Sequence, residues 1–90
     1  MKKRVRVLIS GRVQGVFFRK SLEEFAKERG VKGWVRNKEE KVEAVFEGEE
    51  DEIEKVINFC KKGPPLSLVE KVETFLESYK GDYKNFKIIK

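Results

Sequence analysis

The segment Gly11-Arg12-Val13-Gln14-Gly15-Val16-Phe17-Phe18-Arg19 constrains this chain more than any other, because the hydrophobic period changes across it. Upstream, Val5, Val7 and Ile9 alternate with Arg4, Arg6 and Leu8, which predicts a strand over about residues 3 to 10. Downstream, Phe18, Leu22, Phe25 and Ala26 recur at helical spacing as far as Gly30, which predicts a helix with a core-facing stripe. A strand, a glycine-punctuated loop and a helix start make a good place to bind an anion. Glycine lets the backbone approach a ligand, and the first N–H groups of a helix have no intrahelical partner. The summed peptide dipoles add about half a positive charge at that end. Arg19 supplies a planar guanidinium able to grip two oxygens at once. Read alone, the segment also fits a plain bend between strand and helix, with Arg19 in solvent.

The rest of the chain alternates in the same way. Val31 to Asn37 reads as a second strand and Val42 to Glu47 as a third, with Val42, Ala44 and Phe46 on one face. Lys38-Glu39-Glu40-Lys41 is the polar turn between them. Glu49 to Glu52 open a second helix whose stripe is Ile53, Val56, Ile57 and Cys60, and Lys61-Lys62-Gly63-Pro64 closes it. Cys60 reads as a small buried hydrophobe. Leu68 to Leu76 supplies a fourth strand and Asn85 to Lys90 a short fifth, joined by the polar stretch Ser78 to Lys84. Ser21-Leu22-Glu23-Glu24 fits a capping box, which leaves open a later start of the first helix, at Ser21.

Ninety residues make one domain, 1–90, and leave little room for a second independent site. With 39% hydrophobic and 41% charged residues, the chain can bury one face of each element under a densely charged surface. No apolar run approaches the ~18–20 residues that span a bilayer, and no signal-peptide core follows Met1, so we expect a cytoplasmic location. A single cysteine excludes an internal disulfide, and the absence of histidine excludes His-ligated metals and Ser-His or Cys-His pairs. Any chemistry must rest on arginine, backbone amides, asparagine or glutamine, carboxylates and water. The net charge of +5 favours acidic ligands in general, and the richness in lysine and glutamate also suits a thermophilic source.

Residues 11–19, followed by Gly33-Trp34-Val35-Arg36-Asn37, resemble the paired signature of the acylphosphatase family. Glu47-Gly48 and Gly63-Pro64-Pro65 extend the likeness over nearly the whole chain, in order. The resemblance implies hydrolysis of the carboxyl-phosphate bond of small acyl phosphates to a carboxylate and inorganic phosphate, without a cofactor. It also implies that Arg19 is the phosphate-binding arginine and Asn37 the water-orienting asparagine, and it favours a helix start near Phe18. The chain departs from its relatives at the 38–41 hairpin, which lacks their usual glycine and one residue.

The order strand, helix, strand, strand, helix, strand, with a short strand added, predicts a ferredoxin-like α/β (α+β) sandwich. Two helices would cover one face of a mainly antiparallel sheet, the first being a right-handed crossover between parallel first and second strands. The loop after strand one and Asn37 then share one rim, ~10 Å apart if the third strand lies between. There the main-chain N–H groups of Gln14, Gly15, Val16, Phe17, Phe18 and Arg19 would cradle the phosphoryl oxygens, while Asn37 holds a water in line. Phosphoryl transfer asks mainly for positioning and electrostatics, and a carboxylate leaves readily without a general acid.

We expect no metal, no nucleic-acid or membrane partner, a monomer and a free-standing enzyme. Trp34 and Arg36 are expected as packing and surface, whereas Arg12 either extends the positive field or is solvated. An RNA-binding sheet is the first alternative, but Trp34, Phe46, Phe75 and Phe86 form no recognisable RNA-binding motif. A nucleotide P-loop fails because Lys20-Ser21 follows Phe18-Arg19 without the required glycine. A phosphate sensor without turnover is the third, against which Arg19 and Asn37 both argue.

Overall fold

The computed structural model describes residues 1–90. The elements are β1 (Lys2–Arg12), α1 (Phe18–Glu28), β2 (Lys32–Lys38), β3 (Lys41–Glu49), α2 (Glu50–Lys62), β4 (Leu68–Glu77) and β5 (Phe86–Ile88). One sheet holds the strands in the order β4-β1-β3-β2-β5, antiparallel at every junction except β2 with β5. Because β1 and β2 both run antiparallel to the intervening β3, they are parallel to each other, and α1 is the crossover that joins them. This is the expected ferredoxin-like sandwich.

Alternation decides which side of the sheet is covered. Val5, Val7 and Ile9 of β1, Val42, Ala44 and Phe46 of β3 and Val35 of β2 are buried in one core. Phe18, Leu22 and Ala26 of α1 and Ile53, Val56 and Cys60 of α2 pack into it. Phe25 and Phe59 stack between the helices with ring centroids 4.6 Å apart, and Phe86 of β5 stacks on Phe46 at 5.7 Å. Each large apolar side chain so buried stabilises the fold by about 1.5–3 kcal/mol. No helix is long and apolar enough to cross a membrane.

Two strands are longer than expected, for a physical reason. β1 and β3 outrun the predicted 3–10 and 42–47 because both are interior strands, whose ladders continue past the last buried apolar residue. Helix α1 starts at Phe18, as the resemblance favoured over Ser21, and the Ser21 N–H already donates to the Phe17 carbonyl at 3.0 Å.

The face away from the helices is covered by polar groups. Glu43 and Glu47 of β3 are each 3% exposed. Arg6 and Arg36 donate to Glu43 at 2.9 and 2.7 Å, while the Lys80 and Gly81 N–H groups donate to Glu47 at 2.9 and 3.1 Å. The segment between β4 and β5 therefore folds back over this face. Trp34 donates to the Tyr83 hydroxyl at 3.1 Å, so Trp34 and Arg36 both belong to a hydrogen-bonded lattice.

Candidate active site

The site begins at the end of β1, where Glu70 of β4 is left unpaired between the Ser10–Lys71 and Gly11–Val69 pairs. Gly11 has φ 125°, the register against β4 slips between Ser10 and Gly11, and a Cβ there would lie 2.2 Å from the Leu68 carbonyl oxygen. Only glycine permits that bulge. The following loop is pinned by Val13 and Val16, which are 1% and 9% exposed. Around these anchors φ is positive at Gly15 (72°) and Phe17 (62°) but not at Val16. Such alternation is the backbone pattern of a nest, a concavity made by successive N–H groups.

Phe17 is also the N-cap of α1 and provides no side-chain cap. A serine or aspartate there would occupy one of the free helix donors. Instead, no N–H from Gln14 through Lys20 donates to any carbonyl of the protein. Gly15, with Val13, Phe17, Phe18 and Ile88 as an apolar wall and Arg19 and Lys20 beside them, lines a cleft of about 320 Å³. Arg19 and Arg12 take part in no ion pair, whereas Arg4, Arg6, Arg29 and Arg36 are each matched to a glutamate.

Asn37 stands at the same rim. Ile9, Val42 and Asn37 form one cross-strand row, next to the row of Val7, Ala44, Val35 and Ile88. Asn37 thus shares the helix-covered face, one step beyond an Ile88 that lines the cleft, although it is not itself part of the wall. Its Oδ1 is buried and has no hydrogen-bond partner. Leaving such an acceptor unsatisfied costs about 1–3 kcal/mol, so its retention calls for a reason.

Gln14 behaves differently from its neighbours. Its Nε2 crosses to the β2–β3 hairpin and donates to the carbonyls of Glu39 at 2.8 Å and Lys41 at 2.9 Å. Of the residues expected to surround a phosphate, Gly15, Phe17, Phe18 and Arg19 line the cleft. Gln14 and Val16 give it no side chain: one reaches the hairpin, the other the core. Sequence reasoning missed Ile88, which the parallel register with β2 brings opposite Val35.

The remaining titratable groups near the sheet are structural. Burial alone would raise the Glu43 carboxyl, but hydrogen bonds from Arg36 and Arg6 outweigh it and hold it below the usual carboxylate range. Burial pushes the Cys60 thiol far up, which keeps it protonated and unreactive at neutral pH.

The family model of acylphosphatases matches residues 5–88. An acylphosphatase from Pyrobaculum aerophilum is 51% identical over 88 residues, covering 96% of this chain and 93% of that protein. The structure of an acylphosphatase from Coxiella burnetii superimposes with a TM-score of 0.93 at 36% identity, over 98% of this chain and 93% of the other. The crystal structure of an acylphosphatase from Bacillus subtilis gives 0.93 at 31% identity, covering all of both chains. With its sequence matched over residues 5–88 and its fold shared, this chain belongs to the acylphosphatase family, enzymes that hydrolyse acyl phosphates.

Proposed function

We propose that the backbone amides of Gln14 to Arg19, with the Arg19 guanidinium, hold the phosphoryl group of a small acyl phosphate, and that Asn37 orients the attacking water. The observation that carries this reading is the run of N–H groups without acceptors, beside an arginine without a carboxylate partner. A phosphoryl group offers three oxygens to such donors, and charge-assisted contacts are the strong ones. In this mechanism the water oxygen attacks phosphorus as the bond to the carboxylate oxygen breaks. The electron pair leaves with the carboxylate, and the water proton passes to a phosphoryl oxygen. The donors match the charge of the transition state, where fixed dipoles count most. The place of Asn37 on the helix-covered face, one step beyond the Ile88 that lines the cleft, supports the water-orienting role. An amide orients and does not deprotonate.

A monomer working in the cytoplasm completes the proposal; a single species of about 10.6 kDa in sedimentation would agree with the monomer. The deciding experiment is hydrolysis of a simple aryl acyl phosphate, with chelator present, by the protein and by Arg19→Ala and Asn37→Ala. Arg19→Ala is expected to lose phosphate affinity and turnover together, with turnover down about 10²–10³-fold. Asn37→Ala is expected to keep its inhibition by inorganic phosphate and lose turnover. Full turnover in Arg19→Ala, or loss of phosphate inhibition in Asn37→Ala, would reject these roles.

A further inference from the structure

We infer that Gln14 is a positioning residue, whose side chain clamps the phosphate loop to the β2–β3 hairpin and so fixes the distance between the cradle and Asn37. The inference rests on the division of labour proposed above. Both groups that Gln14 reaches, the carbonyls of Glu39 and Lys41, are acceptors, so only the NH₂ end of its amide can face them. Gln14 directly precedes Gly15 of the nest, and its two acceptors lie shortly after Asn37 in the chain. No other hydrogen bond or ion pair joins the 13–17 loop to the 38–41 hairpin.

The hairpin needs such a brace. Lys38 and Lys41 pair directly, which leaves Glu39 and Glu40 alone to make the turn. Glu39 has φ 57°, in the left-handed region that two-residue turns usually give to glycine, asparagine or aspartate. The strained residue offers one of the two carbonyls that Gln14 holds. The clamp therefore fixes a turn whose own residues do not favour its shape, at the end of the strand that carries Asn37. A bound phosphoryl group is held by the loop and a water by the strand, so their separation depends on what joins the two.

A clamp of this kind acts on attack geometry more than on phosphate affinity. The test measures kcat and KM for an aryl acyl phosphate, and inhibition by inorganic phosphate, for four proteins: wild type, Gln14→Ala, Gln14→Asn and Gln14→Lys. Thermal unfolding first establishes that each is folded at the assay temperature. We expect kcat of Gln14→Ala to fall about tenfold to hundredfold, the scale of an ångström misplacement, with phosphate inhibition changed far less. Gln14→Asn keeps the amide but is one methylene short, so it should behave like Gln14→Ala and serves in its place if that variant does not fold. Gln14→Lys restores donors of sufficient reach and should recover most of kcat. Unchanged kcat in the alanine and asparagine variants overturns the inference, as does an equal fall in kcat and phosphate affinity, which would make the contact a support of the cradle alone. Both of those results presuppose an active wild type. A wild type without turnover rejects the proposed function itself and the catalytic role of the clamp with it.

Discussion

At the scale of single residues, the proposed chemistry rests on groups that the fold leaves without partners. Arg19 has no carboxylate, the amides of Gln14 to Lys20 have no carbonyl, and Asn37 Oδ1 has no donor. The geometry of the guanidinium matters as well as its charge. Arg19→Lys keeps a cation but loses the planar fork, so kcat/KM should fall by about 1.5–3 kcal/mol, roughly tenfold to a hundredfold, in a steady-state assay. Activity equal to wild type would mean that Arg19 acts only as a point charge. Arg19 and Asn37 could be proposed from the sequence because each sits in a local motif. The contact of the Gln14 side chain could not, since its partners lie across the hairpin, 25 and 27 residues away.

At the scale of elements, hydrophobic period located every strand and helix, and the topology then brought the loop and Asn37 to one rim. What period could not show was pairing. The lengths of β1 and β3 follow from having a strand on both sides, and the place of Ile88 follows from the parallel register of β5 with β2. The 38–41 hairpin is the clearest case. Its missing glycine was visible, but its two-residue turn with a left-handed Glu39 was not, because glutamate does not advertise that conformation. Glu39→Gly should therefore stabilise the protein, by about 1 kcal/mol in denaturant unfolding, through release of this strain. A loss of stability would show that Glu39 is not strained there.

At the scale of the whole molecule, one face of the sheet is stabilised by apolar burial and the other by charge. Composition announced many charges but not that Glu43 and Glu47 would be buried in β3, paired with arginines of neighbouring strands and with a returning loop. The Glu43 carboxyl titrates lower when folded than unfolded, so it stabilises the protein above its unfolded pKa, and that contribution fades as pH falls through the folded value. Glu43→Gln should cost about 2 kcal/mol at neutral pH and lose less stability than wild type on acidification below about pH 4, as read by thermal melts across pH. Parallel acid limbs would contradict this.

Titration of the ¹⁵N-labelled protein with inorganic phosphate would show directly whether the loop amides beside Arg19 receive the phosphoryl group. A phosphate cradle at this loop predicts saturable shifts concentrated on the amides of Gly15 to Arg19, retained in Asn37→Ala and lost in Arg19→Ala. Shifts spread over the lysines of the outer surface, with the 15–19 amides unmoved, would contradict it.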